Sequence, residues 1–191
     1  MAFLKRYEST IYGPYRRAGI VAGLWAGLLL ALYLVVRWLA GSPLSAPQGY
    51  GGDIILLLAM LFFSVRYRRR LPQEKVTLKE LMQLNMWTGF VSALLLGVSL
   101  WLYGTALDHD FLRRCVDVMV EAEQQSGRAV EEQAQAVAVM RAYTLPTLAW
   151  IGAFRAFVMS ILWAFLVALL LRTERAPARA WRKKEGRVPK A

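Results

Sequence analysis

At 191 residues, 57% of them hydrophobic, the chain is long enough to bury a core, but its apolar residues fall in long blocks separated by charged ones. With a mean hydropathy of +0.36, that distribution favours an all-α polytopic membrane protein over a soluble one. The formal net charge of +11 would suggest nucleic acid in a soluble protein, whereas the single cysteine, Cys115, cannot form an internal disulfide.

In chain order, residues 1–17 are a short basic head in which Gly13 and Pro14 break any early helix. The apolar run that follows is too long for a cleavable signal and reads as a first span, about 18–37, with Pro14 suited to its first turn. An uncharged linker rich in Gly, Pro and Ser, GSPLSAPQGYGG, leads to the second span, about 50–67. Its apolar core, Ile54–Val65, is short for about 30 Å of hydrocarbon; a helix starting near Tyr50 and ending with the stems of Arg66 and Arg68 would reach across, and the alternatives are a re-entrant or a surface-lying helix. The segment RYRRRLPQEKVTLKE is a basic turn. Its Thr77 and Glu80 fit a capping box, which predicts a surface helix from near Leu78 running into the third span, about 86–104, ended by Gly104 and Thr105. Residues 106–146 read as two amphipathic helices broken at Ser126–Gly127, a hairpin whose apolar faces meet each other or the bilayer surface. In the first of these, Phe111, Leu112, Cys115, Met119 and Ala122 share a face. The stretch FRAFVMSILWAFLVALLL dominates the fourth span, about 147–171. Residues 1–174 thus form a four-helix membrane domain and 175–191 a basic cytoplasmic tail.

Charge sets the orientation. The pieces 1–17, 66–80 and 172–191 hold 18 Lys and Arg against five acids, whereas the opposite pieces and their flanks hold six Lys and Arg against eight acids. The positive-inside rule then puts both termini in the cytoplasm of a bacterial inner-membrane protein. It also accounts for the charge without nucleic acid. Anionic lipid headgroups are the expected neighbours of Arg66, Arg68, Arg69, Arg70 and the tail.

Residues four apart share a helix face, and three stripes of small residues recur at that interval. They are Gly19, Gly23 and Gly27 in the first span, Gly89, Ala93 and Gly97 in the third, and Gly152, Ala156, Ser160 and Ala164 in the fourth. Such faces let helix backbones approach closely, which is what holds helices together in lipid. The stripes predict a tight core of helices one, three and four, or a homo-oligomer seam. Tyr15, Trp38, Trp87, Trp101, Tyr103 and Trp150 read as interfacial anchors.

The layout from Val65 onward (VRYRRR, a turn, VTLKELMQLNMWTGFVSALLLGVSLWLYG, then ALDHDFLRRCVDVMVEAE and a second helix reaching YTLP) resembles the DUF4199 family of small bacterial proteins. The resemblance covers about residues 11–174. It implies four spans, a basic turn after the second and an exposed helical segment between the third and fourth. It assigns no activity and no site residue. Gln73–Leu78 departs from the family pattern, which has a Gly-rich stretch and a Ser-Phe pair there.

Little in the chain points to catalysis. Asp108, His109 and Asp110 are consecutive and cannot face one ion from a helix, so Asp108 reads as an N-cap and no metal or cofactor is expected. Arg113 and Arg114 beside Cys115 could lower its pKa, but its apolar neighbours make it buried filler. The span interiors read as free of Asp and Glu. Arg155, about 25 Å from the inner edge, sits near the outer headgroups, where it can snorkel, and is the polar residue closest to a functional candidate. Phosphate-loop, GxSxG, HExxH and CxxC motifs are absent, so no enzyme is expected. The expected role is that of a structural or accessory component of a membrane assembly, with a membrane-protein partner or second copy. The alternative is a small transporter or channel.

Overall fold

The computed structural model describes residues 14–42, 44, 49–70 and 78–171. Most of the basic head, linker positions 43 and 45–48, the basic turn with Thr77 of the expected capping box, and the tail from 172 on lie outside the described residues.

The described chain is an all-α bundle. Helix α1 spans Pro14–Leu39, α2 Gly49–Arg70, α3 Leu78–Leu102, α4 Phe111–Gln124, α5 Val130–Arg141 and α6 Leu145–Leu171. Helices α1, α2, α3 and α6 run up, down, up, down. Among the described residues, α1, α6 and α3 with its C-terminal extension to Leu107 are long and apolar enough to cross a membrane.

Local chemistry explains the ends. Pro14 and Pro146 lie in first turns, where a missing N–H breaks no helical bond. Helix α1 stops at Gly41, whose φ of +64° is left-handed. There Gly41 N–H donates to Trp38 O and Ser42 N–H to Arg37 O, both at 3.1 Å, closing the last turn. The Arg37 guanidinium also donates to Ser42 O at 2.8 Å. Gly127, with φ +71°, makes the corresponding turn between α4 and α5.

Helix α3 does not stop at Gly104 and Thr105 as expected. It widens into a π-turn, Tyr103–Leu107, closed by Asp108 N–H donating to Tyr103 O at 2.9 Å. The Thr105 hydroxyl bonds back to the preceding turn, donating to Trp101 O at 3.0 Å and Leu102 O at 3.2 Å. Nor does Asp108 cap the next helix. That helix begins at Phe111, and Asp110 at its cap position makes no side-chain bond to it. Asp108 is held instead by Tyr103 and Arg114.

Helix α3 is the centre of the bundle. Helices α1 and α6 pack along it, while α2 touches α1, α6 and α3 far less. The reason is side-chain size. A Cβ placed on Gly19 would lie 2.6 Å from Leu84 O and 2.7 Å from Trp87 Cβ; one on Gly23 would lie 2.8 Å from Thr88 O and 2.7 Å from Val91 Cβ. Both are too close for any side chain, so α1 reaches the α3 backbone only because glycine stands there. Gly27 lies likewise against Leu95. On the other side of α3, Gly89 receives Ser160, and Gly97 lies 3.0 Å from Ala153 by the same measure. Gly152, Ala156, Ala164 and Ala93 are buried in these seams.

At the far end of the bundle, Leu34, Leu44, Leu100, Tyr103, Phe111, Cys115 and Leu148 form one cluster. Through it α4 packs on the bundle end, rather than lying only on α5 or on lipid. Val120 is buried in place of the expected Ala122, which is exposed. Helix α5 packs on α4 but has no buried residue. Tyr103, with 2% exposure, is a core residue and not an interfacial anchor; Trp38, Trp101 and Trp150 are exposed.

Gly23→Ala should lower unfolding stability in detergent by about 1–3 kcal/mol, the usual cost of overpacking. Leu24→Ala, on the neighbouring exposed position, should change it by less than about 0.5 kcal/mol. Denaturant titration followed by circular dichroism measures both.

Candidate functional site

The two ends of the bundle differ in chemistry. One gathers the start of α1, the end of α2, the start of α3 and the end of α6. There the Tyr15 hydroxyl donates to Glu80 at 2.6 Å, and the Tyr15 and Tyr67 rings meet edge-on at 5.6 Å. Arg16 lies 4.7 Å above the Trp87 ring. Arg68 reaches Leu171 O at 3.5 Å. Arg17, Arg66 and Arg69 are exposed at this end. Of the arginines expected at headgroups, the structure thus places Arg66 and Arg69 outward and Arg68 half-buried against α6; Arg70 closes α2, its side chain outside the described residues.

The interior between the ends is apolar, apart from hydroxyls and one amide that bond to neighbouring backbone or to each other. Ser64 donates to Asn85 Oδ1 at 3.0 Å across α2 and α3. Thr88 shares its hydroxyl between Leu84 O at 2.9 Å and Gly19 O at 3.3 Å, which ties α3 to α1 at the glycine seam. Ser92 and Ser160 bond back to Gly89 O and Phe157 O of their own helices. Asn85 Nδ2 and Trp163 Nε1 are buried with no partner among the described residues.

The opposite end holds two ion pairs built on buried carboxylates. In the first, Asp108 Oδ2 accepts the Tyr103 hydroxyl at 2.9 Å and also the Arg114 guanidinium. The Tyr103 ring packs edge-on against Phe111 at 5.2 Å. This knot joins the π-turn to α4. Asp108 was legible only as a local cap, because Tyr103 and Arg114 become its partners through the turn. Cys115 lies beneath the knot with 1% exposure. Burial pushes its thiol up to about 12, with Asp108 adding to the shift and Arg114 opposing it. The neighbouring arginines therefore do not activate it. His109 and Asp110 are exposed. Among the described residues, no three of His, Cys, Asp and Glu come together to hold a metal.

The second pair corrects the sequence reading. Arg155 of α6 donates to Asp53 Oδ2 of α2 at 3.4 Å. Asp53 is 8% exposed, in the first turns of α2, so a carboxylate does lie inside a segment read as free of acids. It was overlooked because it follows a Gly-rich linker and passes for its flank. The signal was Arg155 itself, a cation that needs an anion nearby. Asp53 Oδ1 has no partner among the described residues.

A cavity lies between α1 and α2, two helices that pack on each other far less than either α1 or α6 packs on α3. It measures about 1250 Å³ and is walled along its length by apolar side chains, among them Trp25, Leu29, Leu58 and Phe62, with Arg17 and Arg66 at one end. Ala59 and Leu84 form its buried floor. No sequence pattern marks it, because it depends on how closely helices distant in sequence pack. It does not reach Arg155, Asn85 or Ser160.

Two outcomes follow from this geometry. Arg155→Gln should destabilise the fold by about 1–3 kcal/mol, as expected when a buried acceptor loses its donor, and adding Asp53→Asn should recover part of the loss in a double-mutant cycle. Cys115 should resist maleimide at pH 8 in the folded protein and react fully after denaturation, since burial raises its pKa and thiolate appears only as pH rises toward that value.

No curated protein and no solved structure shows significant similarity to the chain. Residues 19–173, well over half of it, match the family described as "Protein of unknown function (DUF4199)". The chain therefore belongs to the DUF4199 family of small bacterial membrane proteins.

Proposed function

We propose that this chain is a four-span protein of the bacterial inner membrane, with both termini in the cytoplasm, α4 and α5 outside, and a non-catalytic structural or accessory role in a membrane assembly. Helix α2 supplies the fourth span. Its 22 residues extend about 33 Å, enough for about 30 Å of hydrocarbon, and it lies antiparallel to α1. The end bearing Arg16, Arg17, Arg66, Arg68 and Arg69 faces the anionic cytoplasmic leaflet.

The observation that carries the role is how the interior is filled. Small residues close the α1–α3 and α3–α6 seams, and the hydroxyls of the interior end in hydrogen bonds between or within helices. That is the build of a scaffold. Helix α5, outside and with no buried residue, leaves Val130 (81% exposed) and Val139 (59%) on its surface, a face available to a membrane-protein partner or a second copy. The reading as a small transporter or channel draws on the Asp53–Arg155 pair, since intramembrane ion pairs often line transport paths. Against it, the 1250 Å³ cavity opens sideways between α1 and α2 and bypasses that pair.

Reporter fusions after Arg70 and Lys190 should be active on the cytoplasmic side, and one after Arg128 on the opposite side. Mild detergent extraction should recover the chain with a partner. A fusion at Arg70 facing away from one at Lys190 would refute the orientation, and a lone monomer under every extraction condition would refute the assembly role.

A further inference from the structure

The groove between α1 and α2 combines two features that the scaffold does not need. The first is depth with an apolar lining. Trp25, Leu29, Leu58 and Phe62 stand at its walls, 45–58% exposed, over a floor kept low by Ala59 on α2. Along α1 it extends from Arg17 to Val36, about 28 Å at the helical rise. That matches the depth of the hydrocarbon, so the half nearest Arg17 matches one leaflet, about 15 Å. The second is charge. Arg17 from α1 and Arg66 from α2 line the same end. Both are exposed, and among the described residues no acid lines the groove and neither arginine has an ion-pair partner. Two guanidiniums at the head of an apolar channel complement a phosphate carrying an acyl chain.

We propose that this groove is a specific site for one anionic phospholipid of the cytoplasmic leaflet, with an acyl chain along the α1–α2 walls and the phosphodiester held between Arg17 and Arg66. The proposal rests on the membrane placement given above. It differs from general headgroup contact in two ways: the site is single, and it joins a helix held tightly to α3 with one held loosely. An occupied groove fills the space that α2 leaves, so the lipid acts as packing between the two helices.

The test is native mass spectrometry of the full chain released from detergent after exchange with phosphatidylglycerol or phosphatidylcholine. The chain should retain one phosphatidylglycerol, with a preference over phosphatidylcholine on the order of 10- to 30-fold from two arginines. Arg17→Gln with Arg66→Gln should abolish the preference while leaving the melting temperature of the lipid-free protein unchanged. Val21→Trp, at an exposed position lining the groove, should block retention of either lipid, and Leu58→Trp should do the same if that variant does not fold. Several weakly held lipids without headgroup preference, retention indifferent to these variants, or a lipid-free dimer that Val21→Trp separates would each overturn the proposal. Micelle binding does not depend on orientation. Failed reporter topology with one retained phosphatidylglycerol would therefore sink the orientation alone, and correct topology without retention would sink the lipid site alone.

Discussion

Everything else in this bundle depends on the absence of side chains at a few positions of α1 and α3. Water does not drive helices together in lipid, so packing must do it. Packing is strongest where backbones come closest. Gly19 and Gly23 bring α1 onto the carbonyls of α3, close enough for Thr88 to donate to Gly19 O across the seam. Gly89 and Gly97 do the same for α6. With α3 enclosed on two sides, α2 is left with the remaining surface, and its larger side chains, Leu58, Phe62 and Phe63, line the groove that opens beside α1. The tight core and the open groove have a single cause, the distribution of small and large residues over four helices.

The ends of the bundle divide the remaining work. At the basic end, cations are spread over rings, carbonyls and open surface, which suits a surface of anionic headgroups. At the other end, each buried carboxylate has one cation partner, Asp53 with Arg155 and Asp108 with Arg114. A buried charge without its partner is costly, so these pairs fix where α2 meets α6 and where α4 meets the bundle. Asp108 also holds Tyr103, so the π-turn, the start of α4 and the core cluster around Phe111 form one unit. Cys115 is inert as a consequence of lying beneath that unit.

Much of this is legible in the sequence alone. The apolar blocks predict spans at about 18–37, 86–104 and 147–171, and these fall inside the helices Tyr15–Leu39, Leu78–Leu107 and Leu145–Leu171, because length and hydropathy alone mark such segments. The glycine stripes pointed to faces on α1, α3 and α6, because residues four apart necessarily share a side. What stayed hidden involves partners distant in sequence. Asp53 looked like loop flank until Arg155, 102 positions away, was placed beside it. Asp108 looked like a cap because local rules see only the next helix, while its actual partners are reached by a turn that widens after Trp101. Tyr103 looked interfacial because it stands near a helix end, yet α4 folds over it. The groove has no sequence signature, since it is defined by contacts that are not made.

The most direct measurement is oxidative cross-linking in native membranes of Gly97→Cys with Ala153→Cys, in a Cys115→Ser background. A Cβ at Gly97 lies 3.0 Å from that of Ala153, so a relaxation of roughly 0.5 Å reaches the spacing of a disulfide. If the small-residue seams build the fold of one chain, the bond forms rapidly and the product migrates as a monomer. If they serve instead to join two chains, the cross-linked product has twice the mass and the monomer carries no bond.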